Sequence, residues 1–445
     1  MKKVSLGTFL KFLIPSMAGL FLFIMPIQSE GNFTIPIAVI SKGLLGLMGK
    51  YSIFIIYLLI TLSGLLTVVH KVFGIRFFRE HEKFDSLFDV KGLWFVVRML
   101  GVLFANMLYF GFGPEVITGE NTGGLVIHDL LPILVCVFLL ASLLLSLLLD
   151  YGLLDFFGAL LIKVMRPVFN LPGRSALDCV ASWLGDGSVG VLLTSKQYEE
   201  GFYSKREATV IATTFSAVSI TFGLVVISEV GLEHMFIPFY LVVGIAGIVA
   251  AIIVPKLPPL SKIPETYCKG VPYQEGVPEG KTTFGYGLEL AFEKAEKAPG
   301  IKNFFKSGLE TVCEMWFGTL PVILALGTVA LIVAEYTPIF KVLGVVFIPL
   351  YKLLQIPEAV EASQTVIVGF ADMFLPSVIA SGFENDMTKF VVAATSVTQL
   401  IYMSEIGSII MGSMIPVSLK NLFFIFIERT IVTLPVIALA AHILF

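Results

Sequence analysis

The chain has 445 residues, of which 56% are hydrophobic and only 14% are Asp, Glu, Lys or Arg. Soluble proteins carry about 25% charged residues. This composition, with a mean hydropathy of +0.91, therefore excludes a soluble globular domain and predicts a polytopic membrane protein in a lipid bilayer. The formal net charge of -3 is too small to indicate a nucleic-acid partner. The four cysteines show neither disulfide nor metal-site spacing, so we expect no metal and no cofactor.

Residues 1–128 are predicted to be N-terminal transmembrane segments, with spans at about 9–27, 52–69 and 93–112. Residues 30–50 are weakly apolar, and we expect them to be interfacial or partly re-entrant. The loop after the second span is basic, carrying Lys71, Arg76, Arg79, Lys83 and Lys91. Positive loops stay in the cytoplasm. We therefore expect a bacterial-type inner-membrane protein with a cytoplasmic N-terminus.

Residues 129–254 are predicted to form a first repeat. It contains a span at 129–149, an amphipathic helix at 153–169, a polar stretch at 178–195, a hydroxyl-rich span at 208–229 and a span at 235–254. The polar stretch carries two carboxylates and three glycines inside an apolar region. Such segments are tolerated at membrane depth only where they are buried in protein or line a wet cavity. Basic residues flank it on both sides, which predicts a re-entrant hairpin.

Residues 255–310 are polar and Lys-rich, which predicts a cytoplasmic linker. Residues 311–445 are predicted to form a second repeat with the same order of elements. It contains a span at 311–334, an amphipathic helix at 339–354, a hairpin at 361–383, a hydroxyl-rich span at 390–414 and a last span at 422–444. The total is about nine spans and two hairpins, at about 20 residues per span.

The two repeats can be aligned residue by residue. Leu171-Pro172 matches Ile356-Pro357, Asp186 matches Asp372, and Thr213 matches Thr398. Three spans separate the start of the first copy from the start of the second, and an odd number inverts the second copy in the membrane. Inverted repeats are typical of secondary transporters. A duplication kept only for folding is the alternative. Polar hairpins at membrane depth in both copies favour transport.

The run Pro-Val-Phe-Asn-Leu-Pro at 167–172 and the run Asp-Cys-Val-Ala-Ser-Trp-Leu-Gly-Asp-Gly-Ser-Val-Gly at 178–190 carry a family resemblance. They resemble the YjiH-like membrane proteins of the nucleoside-recognition (Gate) group, which is similar to concentrative nucleoside transporter-type folds. The resemblance covers about 129–254 and 311–444. It implies an all-α polytopic membrane protein with an inverted repeat and two re-entrant helical hairpins. It implies no particular substrate.

The two hairpin aspartates are the first candidates for chemistry. A charge at the bilayer centre costs about 3 kcal/mol on insertion scales. Asp186 and Asp372 therefore need a partner or a function, such as taking up a proton, binding Na⁺ or binding a substrate amine. Alternatively, each caps its own hairpin turn. With Glu405 they form the candidate ion-coupling set for H⁺ or Na⁺.

The candidate substrate-binding residues share a polar group or a glycine backbone near a hairpin or a hydroxyl-rich span. Exposed N–H groups at hairpin tips favour a carboxylate or phosphate. The alternative for each hydroxyl is a bond to its own helix. Glu428 and Arg429 are expected to neutralise each other or neighbouring helices near one end of the last span. The candidate substrate-binding residues are Asp186, Gly187, Ser188, Ser195, Thr213, Asp372, Ser377, Ser381, Thr398 and Gln399.

These features predict a secondary active transporter and not an enzyme. The solute is small and polar, anionic or zwitterionic, such as an amino acid, peptide, carboxylate or nucleoside, and a homo-oligomer is possible. One alternative is a membrane scaffold that partners another protein. Another is an intramembrane aspartyl protease, because Leu184-Gly185-Asp186 resembles a Gly-x-Gly-Asp motif. Trp183 stands where the first glycine of that motif belongs.

Overall fold

A computed structural model describes residues 5–25, 27–29, 32–73, 85, 87–90, 92–184, 187–215, 218, 220–270, 276–278 and 280–445. These residues are almost entirely helical, which confirms the all-α class. The N-terminal part consists of α1 (Leu6–Phe23), the antiparallel strands β1 (Ile27–Ser29) and β2 (Asn32–Thr34), α2 (Pro36–Met48), α3 (Ser52–Phe73) and α4 (Gly92–Phe110). The stretch 30–50 thus contributes β2 and α2, and a 3-10 turn leads from α2 into α3.

Two units with the same order of elements follow. The first consists of α5 (Glu115–Leu149), the amphipathic α6 (Leu153–Phe169), a hairpin of α7 (Ser175–Leu184) and α8 (Gly187–Glu199), then α9 (Lys205–Val210), α10 (Ile220–Glu229) and α11 (Phe236–Ile253). The linker contributes α12 (Thr283–Glu296).

The second unit begins with α13 (Ile301–Tyr336), which is followed by the short helices α14 (Ile339–Gly344) and α15 (Ile348–Leu353). Its hairpin consists of α16 (Ala359–Ala371) and α17 (Leu375–Ser381), and its last elements are α18 (Asp386–Gln399), α19 (Ile406–Gly412) and α20 (Leu419–Leu444). The two hairpins therefore lie where the sequence predicts them. The inversion of one unit relative to the other in the membrane stays a prediction.

The expected spans at 208–229 and 390–414 are interrupted, which corrects their interpretation as continuous helices. The first stops after the π-helical turn Ile211–Phe215, its next helix begins at Ile220, and Val218 between them is not helical. The second stops at Gln399 and resumes at Ile406. Seven other helices are long and apolar enough to cross a membrane. These seven are counted among the described residues only. That the two interrupted segments also cross the membrane, for a total of about nine spans, stays a prediction.

Each hairpin packs against the interrupted span of the other unit. Arm α8 of the first hairpin contacts α19, and arm α17 of the second hairpin contacts α10. At the first contact the backbone N–H of Met414 donates to Ser195 Oγ at 3.2 Å. At the second the rings of Phe222 and Phe374 lie 6.2 Å apart. Each hairpin is therefore supported in part by the other unit.

The predicted linker is partly docked on the first unit. Its helix α12 packs against α6 and α1. A Cβ atom at Gly152, just before α6, would lie 2.4 Å from the carbonyl oxygen of Ala291 in α12. Gly152 also has a φ of +91°, which side-chain-bearing residues rarely adopt. The close approach of this helix to α6 thus requires glycine there.

Another close contact joins the N-terminal part to the second unit. Helix α4 packs against α13, and a Cβ atom at Gly101 would lie 2.3 Å from the carbonyl oxygen of Pro321. Because that neighbour is backbone, it cannot move aside as a flexible side chain could. The absence of a side chain at Gly101 therefore sets the distance between α4 and α13.

We expect Gly101→Ala to lower the stability of the protein by about 1–3 kcal/mol, because it overpacks this helix contact. Gly46→Ala is the matched control: it also lies inside an apolar helix, and nothing lies within 4 Å of its added Cβ atom. Alanine favours helix over glycine by up to about 1 kcal/mol, so Gly46→Ala should leave stability unchanged or raise it. Thermal unfolding in one detergent measures both, and equal effects of the two changes would contradict the close contact.

Candidate functional site

Arg429 lies inside α20 and is only 2% exposed. Its Nε and one terminal nitrogen donate to the carbonyl oxygen of Thr398, at 3.0 and 2.7 Å. Its other terminal nitrogen donates to the carbonyl oxygen of Thr214 at 2.8 Å. Thr398 lies in the last turn of α18, and Thr214 lies in the π-helical turn that follows α9. One side chain therefore binds both interrupted spans at the point where each stops.

The chemistry of a helix end explains this contact. The last carbonyl groups of a helix have no partner within the helix, and membrane interiors offer them no water. Each helix C-terminus also carries the equivalent of about -0.5 charge, which attracts a cation. The guanidinium of Arg429 supplies both the donors and the positive charge. It thereby stabilises two interruptions that would otherwise leave buried carbonyls unpaired.

Of the two alternatives for Arg429, pairing with Glu428 or with neighbouring helices, the structure shows contacts with neighbouring helices. Glu428 lies on the same side of α20 as Phe424 and Ile431, which are 47% and 49% exposed. Arg429, the next residue, lies about 100° further around the helix, where its side chain is buried. The sequence contained a usable signal, because an ionisable residue within an apolar span is a functional-site candidate by default.

Asp372 lies at the tip of the second hairpin, directly after α16. Its Oδ1 atom accepts the backbone N–H groups of Phe374 and Leu375, at 2.8 and 3.2 Å. Its Oδ2 atom accepts the hydroxyl of Ser404 at 2.6 Å. One oxygen therefore caps the hairpin turn, as the capping alternative predicts, while the other reaches the interruption of the next span. A role in ligand or ion binding stays a prediction, and Asp186 lies outside the described residues.

The backbone also joins the second hairpin tip to the second interruption. The N–H of Met403 donates to the carbonyl of Phe370, and the N–H of Ser404 donates to the carbonyl of Ala371, both at 2.8 Å. Leu400, where α18 ends, has a φ of +63°. A side-chain-bearing residue in that conformation carries strain, which is often found at functional sites. The interruption is thus held in a fixed shape by the hairpin.

A cavity of about 240 Å³ lies where α6, α7, α11, the two interruptions and α20 meet. Its polar contributors include Thr214, Thr398 and Arg429. Most of the remaining wall is apolar and aromatic, with Trp183 of the first hairpin and Tyr240 of α11. Their rings lie 6.2 Å apart. This cavity is the place where the first hairpin, both interrupted spans and the buried guanidinium come together.

Thr213, Thr398 and Gln399 are predicted site residues beside the interruptions. The hydroxyl of Thr213 donates to the carbonyl of its own helix at Thr209, at 2.6 Å. Thr398 likewise bonds carbonyls of α18, and its carbonyl, not its hydroxyl, meets Arg429. The Gln399 amide donates to Val366 and Thr430, while its oxygen has no hydrogen-bond partner within the described part of the chain. Glu405 accepts the hydroxyl of Tyr402 at 3.1 Å.

The remaining predicted residues are distributed along the two hairpins. Gly187 starts α8, and a Cβ atom there would lie 2.7 Å from the Cδ1 atom of Ile406. Ser188 and Ser377 are fully buried in their hairpins. Ser381 is exposed at the far end of α17 and bonds its own helix, so the structure places it away from the cavity.

A second cavity, of about 390 Å³, lies behind the first hairpin. Ser195 and Lys196 of α8 line it together with Arg98 of α4 and Glu314 of α13. The Nζ atom of Lys196 lies 2.9 Å from a carboxylate oxygen of Glu199 and 3.6 Å from one of Glu314. The hairpin arm is thus tied by charge to a long membrane helix. Ser195 belongs to this cavity and not to the one beside Arg429.

Two acids lie where α5 and the first hairpin end, at Asp150 and Glu200. Burial raises the pKa of Asp150 above its usual range. The pKa of Glu200 is also raised, first by burial and then by the nearby charge of Asp150, while Lys294 of α12 acts in the opposite direction. The linker helix therefore contributes a balancing cation to the base of the first hairpin.

Asp178 closes the first hairpin, a role that the sequence does not predict. It is 1% exposed and accepts three side-chain hydrogen bonds. Their donors are Thr194 at 3.0 Å, Gln197 at 2.7 Å and Tyr203 at 3.1 Å. The first two lie on α8, so the carboxylate on α7 holds the two hairpin arms together. The spacing alone gave no signal, because the arms meet only after the turn forms.

We expect Asp178→Asn to lower stability by about 2 kcal/mol or more, because a buried donor left without its acceptor costs about 1–3 kcal/mol. The new amide keeps one acceptor oxygen and puts an NH₂ group in place of the other oxygen. Tyr203→Phe removes only one of the three bonds and should have a smaller effect. Thermal unfolding measures both changes. An Asp178→Asn protein as stable as the parent would show that the hairpin does not depend on this carboxylate.

Comparison with known proteins adds a family. The Gate family, described as nucleoside recognition, matches residues 131–233, which include the first hairpin and the first interrupted span. This confirms the resemblance to the YjiH-like proteins of the Gate group. A Gate domain in a chain of apolar helices supports a membrane transporter and points away from an enzyme. A solved structure of a double variant of CNTnw in an outward-facing state covers 99% of this chain and 98% of that chain, at 13% identity and a TM-score of 0.30.

A whole-length relative is found in Alkalihalophilus pseudofirmus, where the protein is described only as uncharacterised. It is 51% identical over 438 residues, which are 98% of this chain and 95% of the relative. The match covers nearly all of this chain, so it includes both units, the linker and the N-terminal helices. The chain therefore belongs to the same family as this Alkalihalophilus pseudofirmus protein.

Proposed function

We propose that this protein is a secondary active transporter of a small polar solute, anionic or zwitterionic, coupled to H⁺ or Na⁺. The observation that carries the proposal is the meeting of two interrupted spans, one from each unit, at a single buried arginine. Interrupted helices in corresponding halves are how many transporters build a binding site near the membrane midplane. The cavity beside Arg429 lies at this meeting point.

The reciprocal packing of hairpins and interrupted spans supports alternating access. Because α8 contacts α19 and α17 contacts α10, movement of either hairpin displaces part of the other unit. Two units that hold each other in this way can exchange between inward-facing and outward-facing arrangements around one fixed site. An inner-membrane location with a cytoplasmic N-terminus belongs to the same proposal.

The proposed coupling residues are the hairpin aspartates and Glu405. Asp372 is suited to the task because its Oδ2 atom is shared with Ser404 of the interruption, while its Oδ1 atom caps the turn. Protonation or Na⁺ binding at Oδ2 would weaken or replace the bond to Ser404. The hairpin tip would then be released from the interruption. Asp186 is the counterpart proposed from the sequence for the first hairpin.

The test is solute uptake by proteoliposomes under an imposed H⁺ or Na⁺ gradient, with amino acids, dipeptides, carboxylates and nucleosides as probes. We expect one class to accumulate only with a gradient. Asp372→Asn keeps a capping oxygen but no charge. It should lower the initial rate about tenfold or more, since a charged hydrogen bond is worth at least about 1.5 kcal/mol.

Ser381→Ala is the matched control for that change. It removes a hydroxyl from the same hairpin but from its exposed end. It should leave uptake unchanged. Accumulation of no probe class under either gradient would overturn the transport proposal and favour a membrane scaffold. Equal rates in the parent and in Asp372→Asn would remove Asp372 from the coupling mechanism.

A further inference from the structure

We infer that the cavity beside Arg429 binds the carboxylate of a small organic acid whose body is apolar. The inference rests on the proposed transport function and names the chemical class of its solute. It depends on three features of the site: the unused donors of the guanidinium, its lack of a counter-ion among the described residues, and the size and lining of the cavity.

The guanidinium of Arg429 has donors to spare. A guanidinium carries five N–H groups, and the carbonyls of Thr214 and Thr398 accept from three of them. The two that remain belong to the terminal nitrogens, and Arg429 forms part of the cavity wall. A planar carboxylate accepts two N–H bonds from a guanidinium more strongly than a neutral group does. The unused donors therefore fit a carboxylate.

The charge of Arg429 is only partly balanced. Within the described residues no Asp or Glu forms an ion pair with it, and its bonded partners are neutral carbonyls. The two helix ends contribute about -0.5 charge each, which stabilises the cation but accepts no further hydrogen bonds. A buried ion is stable only when its remaining donors are also satisfied. An anionic ligand would complete both the charge and the hydrogen bonds.

The rest of the cavity suits an apolar body. Phe169, Trp183, Phe215 and Tyr240 supply aromatic surface, and Gly244 and Gly247 leave space along α11. A cavity of about 150 Å³ lined by apolar side chains is enough to bind benzene. At about 240 Å³, this one has room for a ring and a carboxylate. Benzoate is therefore a suitable probe.

The same lining separates this class from the other candidate solutes. An amino acid also presents an ammonium group, and the described wall of the cavity contains no Asp or Glu to hold it. A nucleoside has no anionic group for Arg429. We therefore expect phenylalanine and uridine to bind more weakly than benzoate, although both carry a ring.

The experiment measures ligand-dependent thermal stability of the full chain in nanodiscs of phosphatidylcholine. Benzoate is compared with benzamide, which has the same shape but no charge. A ligand of the folded state raises the unfolding temperature with its concentration. We expect benzoate to stabilise the protein, and benzamide to need at least about tenfold higher concentration for the same shift.

Two kinds of variant locate the effect. Gly247→Leu fills the cavity, keeps every bond of Arg429, and meets nothing within 4 Å at its Cβ atom. It should abolish the benzoate shift. Gly43→Leu, also with open space around its Cβ atom but far along the chain in α2, should preserve it. Arg429→Lys should weaken the response about tenfold, since ammonium cannot form the paired bonds, and Arg429→Gln should abolish it.

The outcomes separate this inference from the transport proposal. Equal shifts with benzoate and benzamide, or a full benzoate shift in Gly247→Leu, would overturn the inference even if Arg429→Gln fails to fold. A rise in unfolding temperature that depends on Arg429 but is produced only by anionic lipid, and not by benzoate, would overturn it too. Uptake of another solute class with no benzoate binding would overturn the inference and leave transport standing. Benzoate binding without any flux would support the inference and overturn the transport proposal.

Discussion

The carbonyl groups at a helix end have to be satisfied, and inside a membrane there is no water to do it. The two interrupted spans create this problem twice, at neighbouring places in the fold. Arg429 solves both at once by donating to the carbonyls of Thr214 and Thr398. Without a cation at this point, the interruptions would leave buried polar backbone unpaired. The continuity of the surrounding site therefore depends on this one side chain.

Carboxylates also stabilise the two hairpins through hydrogen bonds. Asp178 holds the arms of the first hairpin together, and Asp372 ties the tip of the second to Ser404 in the interruption of the next span. Both carboxylates therefore form hydrogen bonds that stabilise the hairpins. Packing of each hairpin on the other unit turns these local bonds into one connected arrangement around the cavity.

The lining of the cavity restricts the kind of solute that it can bind. Its walls are mostly apolar, so a strongly hydrated solute would lose its water without finding replacement bonds. Its polar groups are concentrated at the guanidinium and at the ends of the interrupted spans. A solute with one charged end and one apolar end satisfies both parts of the lining. This links the physical need for a capped interruption to recognition of a ligand.

The sequence by itself determined the membrane class, the two hairpins and the repeated order of elements. Each of these follows from local hydropathy, from glycine and from carboxylates within apolar segments. The roles of Arg429 and Asp178 were decided by the tertiary structure, because their partners lie far away along the chain or across a turn. The composition of a span shows that it is polar, but it does not show that its helix is interrupted. Interruptions are stable only when another element supplies the missing hydrogen bonds, so only the assembled fold could reveal them.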